Sequence, residues 1–517
     1  MGIPYYFYNL TKKYNNIIVK QIDNIDLYCI DFNGIIHPTA QKIIENKGCE
    51  NDIINELWNK VIIFNNDLKP KKIIICIDGV APFAKIIQQR KRRYLTHFKN
   101  KLDNIKLLWD TNAISPGTVF MNNLNNHLKN KIRYNVLDVE FILSGSDEYG
   151  EGEHKIFDKL LLEDTNNDKK IMINGLDADL IILSLLSNKN IVLMRENKDE
   201  TIYLNINNLR IAILKELKFK WSLADDLNDI DIIESYCVMC SLLGNDFIPH
   251  LLTLNLKDNG LDRLIKITGN SIKNNGLLVS NNNINKDCLA DILYNISLTE
   301  YNDLQLELNN YNSKYYKKSS SSNTNSDNYG LKNKDEIINK LLNNENWKYI
   351  YYKEIFNINI NLDNKYINNI CHNYIKGIYW TYNYYKKINI DYEWYYPYNY
   401  PPSITDISNY IKVNDVGCGG GGRGGCDGMV DVRGREEGNE GGRVSDYLQL
   451  LLILPLDSID LIDDKYKKYM IDIKYGLTYL YPKKYKIQTL LKNHLWECCP
   501  ILPVINLKRI KNIIKQV

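Results

Sequence analysis

The sequence predicts an α/β protein, with a mostly parallel sheet flanked by helices and then a mainly helical second region ending in a small α/β piece. Three observations lead there. From Leu27 to about Leu256, short apolar runs alternate with helical stretches. The runs are continuously apolar rather than alternating, which is the pattern of strands covered on both faces. Strands separated by helices also need crossover connections, and these give parallel pairing with helices on either side.

In chain order the strands read as Leu27–Ile30, Ile73–Ile77, Lys170–Ile173 and Ile191–Met194. Helical stretches between them are Ile53–Phe64, Pro82–Lys101, Phe120–Lys129 and Glu153–Leu162. This N-terminal unit covers residues 1–256. The pattern weakens over 257–334, read as a variable linker, in which the Ser/Asn-rich run Lys317–Asn328 has little to bury and is expected to be disordered. The second region, 335–517, is rich in Trp and Tyr, helical up to Lys387, and then forms an aromatic loop, Trp394–Tyr400. The Gly/Arg-rich insert 417–443 reads as a flexible surface loop, and order resumes at Tyr447.

Hydrophobic residues make up 44% and charged residues 25% of the 517, an ordinary globular balance. A net charge of +3 excludes a polycation, so affinity for nucleic acid must come from local basic patches. No membrane association is expected. The most apolar run, Leu450–Leu456, is too short to span and contains Pro455, and Met1–Lys12 lacks a secretory pattern. Tyr6 stands where a myristoylation motif needs Ser or Thr. The 11 cysteines are scattered and read as buried thiols in a reducing compartment. Cys237-x-x-Cys240 has no second pair at zinc spacing.

Acidic residues gather where the strands end. Asp31 closes the first strand, Asp78 the second, and Asp177 and Asp179 follow the third. Glu151 and Glu153 open a helix, and Asp246 lies in a turn after an apolar element. One Asp after a strand is usually a cap or turn residue. Several delivered to the carboxyl edge of one parallel sheet, where ligands bind, need cations to stay ionised together. Hard divalent ions with oxygen ligands meet that need, and a pair of them can stabilise both oxygens exchanged in phosphodiester hydrolysis.

Eight stretches carry a family resemblance. They are Ile30-Asp-Phe-Asn-Gly-Ile-Ile-His37, Ile77-Asp-Gly-Val-Ala-Pro-Phe-Ala-Lys85, Gln88-Gln-Arg-Lys-Arg-Arg93, Pro116-Gly-Thr118, Gly150-Glu-Gly-Glu-His-Lys155, Gly175-Leu-Asp-Ala-Asp-Leu180, Gly244-Asn-Asp-Phe-Ile-Pro-His250 and Trp394-Tyr-Tyr-Pro-Tyr398. In this order they resemble the XRN family of 5′→3′ exoribonucleases. The resemblance implies a PIN/flap-nuclease-like fold and a second region that braces the active site. It assigns Asp31, Asp78, Glu151, Glu153, Asp177, Asp179 and Asp246 to a site for two Mg²⁺ ions, with Mn²⁺ an alternative. Phe83 and Tyr149 depart from the family's usual residues, but no carboxylate is lost. The zinc knuckle of nuclear members and the long C-terminal extension of large cytoplasmic members are not visible, which leaves the subfamily open.

Lys85, Gln89, Arg92 and Arg93 share one helix face. Alone this reads as a solvated basic face; with the resemblance it becomes a pocket for a 5′-monophosphate. The resemblance also implies that His37 stacks on the first base with Trp394 on its other side, a base-tolerant contact. The implied activity is processive hydrolysis of single-stranded 5′-monophosphate RNA to nucleoside 5′-monophosphates, in RNA decay or processing. A triphosphate or cap is expected to be rejected. A monomer inside the cell is expected, in the cytoplasm with the nucleus as the alternative; protein partners are not specified. Two alternatives stand beside it. A flap-type DNA nuclease shares the strand-end acids, but no helix-hairpin-helix follows Asp246. A catalytically inactive RNA-end-binding scaffold would be expected to have lost acids.

Overall fold

A computed structural model describes residues 3, 5–20, 22–134, 137–163, 169–175, 177–196, 200–254, 256, 259–319, 332–359, 364–414, 444–492 and 494–515. Its N-terminal part runs α1 (Tyr6–Lys13), β1 (Ile18–Val19), β2 (Leu27–Asp31), α2 (Asn33–Glu45), α3 (Glu50–Leu68), β3 (Lys72–Cys76), α4 (Phe83–Leu102), α5 (Val119–Arg133), β4 (Glu140–Ser144), α6 (Gly152–Leu162), β5 (Ile171–Asn174), α7 (Asp179–Ser187), β6 (Ile191–Glu196) and β7 (Thr201–Asn205). The seven strands lie in the order β1-β7-β6-β5-β2-β3-β4. Strands β2 to β6 are parallel neighbours, and β7 and β1 add an antiparallel edge.

The alternation of side chains along each strand builds two cores. Leu27 and Cys29 of β2, Ile74 and Cys76 of β3 and Ile171 and Ile173 of β5 enter one. Tyr28 and Ile30, Ile73 and Ile75, and Met172 enter the other, against α2, α3 and α5. Burial on both faces explains why these strands read as unbroken apolar runs. The registers Asp31↔Cys76, Cys76↔Ser144 and Ile30↔Asn174 place the carboxyl ends of β5, β2, β3 and β4 side by side. Three strands escape the sequence reading. β1 has two residues, β4 is a half-buried edge strand, and β7 carries one buried side chain in five.

The chain continues through α8 (Ile206–Trp221), α9 (Asp229–Ser241), α10 (Gly260–Asn275), α11 (Lys286–Ser297), α12 (Glu300–Ser319), α13 (Lys332–Leu341), α14 (Trp347–Tyr351), α15 (Asn364–Lys386) and α16 (Ile404–Val413). It ends with α17 (Asp446–Ile453), α18 (Asp464–Ile471), a short β-ladder joining Ile487–Gln488 to Cys499–Pro500, and α19 (Leu507–Lys515). A linker was expected after residue 257, but α10, α11 and the start of α12 are packed helices there. Leu261, Leu264, Ile265 and Ile272 of α10 and Leu289, Ile292, Leu293 and Ile296 of α11 are buried in the first core. The Ser/Asn-rich run from residue 320 onward and the Gly/Arg-rich insert lie outside the described residues. Cys237 and Cys240 are buried on α9. Among the described residues no helix is long and apolar enough to cross a membrane.

The second region packs against the N-terminal part through two shared cores. Helix α15 and the aromatic loop share the first core with α7 and α9. A third core joins Phe83, Ile86 and Ile87 of α4 to Leu448, Leu451 and Leu452 of α17. Cross-links include Ala81 N–H to Gln449 Oε1 at 3.0 Å and Phe83 N–H to Tyr392 O at 3.0 Å. The buried Arg90 guanidinium donates to the carbonyls of Leu452 and Leu480.

Candidate active site

The acids reach one place by different routes. Asp31 is the last residue of β2. Asp78 follows β3, its own N–H donating to Asn33 Oδ1 at 2.9 Å while its Oδ1 accepts from Gly152 N–H at 2.6 Å. Glu151 immediately precedes α6 and Glu153 lies in its first turn. Asp179 begins α7 and donates its N–H to Asp177 Oδ1 at 3.2 Å. Asp246 sits in the turn after α9, where Gly244 has φ +85° and a Cβ would meet His250 N at 2.6 Å. At Gly152 a Cβ would sit 2.9 Å from Asp31 Oδ1 and 3.3 Å from Asp78 Oδ1, so the acids close on bare backbone.

Ligand atoms of Asp177, Asp179 and Asp246 lie within 4.8 Å of one another, as do those of Glu151, Glu153 and His154. The cluster is short of positive charge. Lys85 Nζ pairs with Glu151 Oε2 at 2.5 Å and Asp246 Oδ2 at 2.8 Å. Burial works against the Lys85 charge, yet Asp246, Glu151, Glu153 and Asp177 outweigh it and hold its ammonium well above the usual range. Burial raises the Asp31 carboxyl well above the ordinary value, and Asp78 and Asp177 push it the same way. Glu153 and Asp179 are raised for the same reasons, burial first and neighbouring carboxylates second. Asp246 alone among them is depressed: burial opposes its charge, but the Lys85 ammonium beside it prevails. Glu153 Oε2 is buried without a hydrogen-bond partner, and both Asp179 oxygens and the Tyr385 hydroxyl are buried without a well-formed one. Acceptor oxygens in excess of donors, with one lysine between two acids, form a donor set that fits hard divalent cations.

The acids and the basic face of α4 line one cleft of about 1390 Å³. Asp31, Asp78, Glu151, Glu153, Asp177 and Asp246 border it together with Lys85, Gln89, Arg92, Arg93 and His37. Asp179 does not border the cleft but lies beside Asp177 and Asp246. Lys85 belongs to both groups, since its ammonium points to the acids from the basic face. Arg93 donates to Asn112 Oδ1 at 3.0 Å, and Arg92 is exposed to the cleft. Desolvation by the cleft wall, with the charges of Arg92 and Arg93, brings the His37 imidazole down to about 4, leaving it neutral near pH 7.

Trp394 is not brought to His37. Its side chain is 6% exposed and does not border the cleft; its ring packs against Trp380 at 5.0 Å between centroids and against Gly377, where a Cβ would meet it at 3.0 Å. The position is that of a core aromatic. In the Pro116-Gly-Thr118 stretch, Pro116 borders the cleft, while Thr118 is architectural, its Oγ1 capping α5 and donating to Ala113 O at 2.5 Å.

Three site residues are added by the structure. Tyr384 of α15 donates its hydroxyl to Glu151 Oε1 at 2.7 Å, fixing that carboxylate from the second region. Asn33 holds the Asp78 backbone, and it lies in the matched stretch from Ile30 to His37, where a signal was available. His154 is buried between Tyr384 and Tyr385, with ring centroids 4.0 and 5.9 Å away. Lys387 anchors this corner, donating to His154 O at 2.9 Å and pairing with Asp158.

This geometry agrees with what the chain is similar to. A family model described as "XRN 5'-3' exonuclease N-terminus" matches residues 1–197, and one described as "Xrn1 helical domain" matches 226–340 and 298–416. Human "5'-3' exoribonuclease 1" is 26% identical over 99% of this chain, and chicken "5'-3' exoribonuclease 2" is 23% identical over 100% of it. The protein of the first name from Saccharomyces cerevisiae is 30% identical over 52% of the chain. The chain spans 34% of the human protein's length, 70% of the chicken protein's and 20% of the yeast protein's. With both parts of the chain matched by models of one family, and its acids converging on one sheet edge, the chain belongs to the XRN family of 5′→3′ exoribonucleases.

Proposed function

We propose that this chain hydrolyses single-stranded RNA from a 5′-monophosphate end, one nucleotide at a time, releasing nucleoside 5′-monophosphates. The observation that carries the reading is the single cleft in which the acidic sheet edge faces Lys85, Gln89, Arg92 and Arg93. Two arginines and a glutamine can give forked and amide contacts to the three oxygens of a terminal phosphate. Rejection of a triphosphate or cap is part of the same proposal. His37, neutral near pH 7, offers an uncharged ring to a base of any identity.

The seven acids and His154 would hold a pair of divalent ions, Mg²⁺ or Mn²⁺. When bound, the ions would supply Lewis-acid activation of water and neutralise charge building on the phosphodiester. Lys85 spaces Glu151 from Asp246, and Tyr384 fixes the far oxygen of Glu151. The α4 face sets which bond lies over the acids by anchoring the end one nucleotide away. Hydrolysis exposes a new 5′-phosphate of the same kind, so the same side chains receive it, and processive digestion follows. RNA decay in the cytoplasm, by a monomer, is the setting this activity suits.

The test is product analysis on uniformly labelled 5′-monophosphate RNA under enzyme-limited, trapped conditions. Mononucleotides beside full-length substrate, abolished by chelator, are the expected products. Oligonucleotide products, or intermediates of every length, would overturn the one-at-a-time or the processive part of the reading. Tight binding with no cleavage would return the inactive scaffold.

A further inference from the structure

Helix α4 is a wall between two spaces. On its far side from the catalytic cleft lies a second chamber of about 570 Å³. Lys85, Gln89 and Arg93 border the cleft, and Ile87, Lys91 and Leu95 border the chamber. Gln88 and Arg92 border both, as does Asp246 at the opposite seam. The chamber therefore adjoins the cleft across these three side chains.

Its lining has two characters. Leu252, Leu254, Tyr395 and Tyr398 give it apolar and aromatic walls, while Lys91 and Arg92 on the α4 side and Lys492 opposite supply positive charge, with Asp246, Glu307 and Glu497 also on the lining. Toward solvent it is edged by Tyr5 and Trp496, which are 37% and 49% exposed with ring centroids 6.5 Å apart. The volume falls within the range of about 300–1,000 Å³ usual for small-molecule sites. Aromatic walls suit a nucleobase, and lysine and arginine suit a phosphate.

We propose that this chamber receives the released nucleoside 5′-monophosphate and is its exit route. The proposal rests on the exonuclease reading. In each cycle one mononucleotide must leave the phosphate anchor before the next 5′-phosphate can occupy it, and the remaining strand fills the entry side of the cleft. Arg92, shared by the two spaces, gives the departing phosphate a contact on both sides of α4. The base then lies among the rings of the aromatic loop, and Tyr5 and Trp496 form the outer door.

The probe is adenosine 5′-monophosphate, titrated calorimetrically into the full chain, with inhibition of RNA digestion by the same nucleotide measured in parallel. Lys91→Ala and the half-exposed Trp496→Ala are the chamber variants, and Arg93→Ala is the cleft control. The expected result is nucleotide affinity weakened about tenfold in each chamber variant. The single-turnover cleavage rate should be unchanged, and steady-state turnover slowed. Unchanged affinity and inhibition in both chamber variants would overturn the proposal. So would affinity lost only in Arg93→Ala, because the nucleotide would then sit in the cleft alone. Failure of the unaltered chain to digest RNA would sink the exonuclease reading instead, and the affinities would still decide whether the chamber takes a nucleotide.

Discussion

Glu153 and Arg92 line the same cleft but are held in opposite ways. Glu153 is buried in the first turn of α6, with one oxygen unpartnered and carboxylates around it. Arg92 stands on an exposed helix face. The acids are fixed by backbone at the ends of β2, β3 and β5 and at helix starts, so their mutual repulsion cannot be relieved by moving apart. Arg92 reaches into the cleft on a long, solvated side chain, while Lys85 is held between Glu151 and Asp246 and Arg93 is partly buried against Asn112. On the proposed function, the acidic edge would hold the cations rigidly, and the basic face, through Arg92, would read the RNA end. Changes on the acidic side should abolish chemistry, and changes on the basic side should alter which ends are used.

The largest effect is expected at Asp179→Asn, which keeps shape and removes one charge from the trio with Asp177 and Asp246. RNA hydrolysis should fall by about 10³-fold or more with RNA binding retained, as measured by single-turnover decay beside filter binding. Gly152→Ala should come next. Its methyl would stand 2.9 Å from Asp31 Oδ1, so cleavage should drop by about 10²-fold while the melting temperature moves little. Arg93→Ala should lower kcat/KM by about 10–100-fold for 5′-monophosphate RNA and leave a 5′-hydroxyl RNA nearly unchanged. An equal loss on both ends would erase the distinction drawn between the two walls.

The sheet was readable where it is buried on both faces. Strands β2, β3, β5 and β6 have runs of buried side chains. β4 and β7 do not, being half-exposed, and β1 exists only through its pairing with β7. The acids were readable because register puts strand ends together, although Asp246, after a helix, needed the family resemblance. The spacing of Leu261, Leu264, Ile265 and Ile272 did carry a helical signal in the supposed linker, diluted by the Asn and Lys around it. Tyr384 was hidden because it is one of 38 tyrosines, and only the fold shows which hydroxyl meets Glu151. Trp394 shows the converse, since a motif gives a residue but not the direction of its ring.

Smaller effects would refine the contrast. Tyr384→Phe removes the hydrogen bond to Glu151 and should slow cleavage about three- to tenfold with end preference unchanged. Acidity provides another handle. Asp31, Glu153 and Asp179 are raised above their ordinary 3.8 or 4.5, so the fold keeps protons there that the unfolded chain has released. Without divalent ions, stability should therefore decline as pH rises above the ordinary carboxyl range toward the raised values. Added Mg²⁺ or Mn²⁺ should raise the melting temperature by a few degrees more at about pH 8 than at about pH 6. An equal rise at both would show that these carboxyls are not what the ions neutralise.

On the proposed function, one cleft couples recognition of a 5′-monophosphate to cleavage at the acidic edge. The most direct test compares 3′-labelled RNAs that differ only in a 5′ monophosphate, triphosphate or hydroxyl, with Mg²⁺ or chelator, beside Asp179→Asn. Rapid loss of the monophosphate RNA alone, requiring both the ion and Asp179, is the expected result. Equal decay of all three ends, or decay that survives chelator or Asp179→Asn, would contradict it.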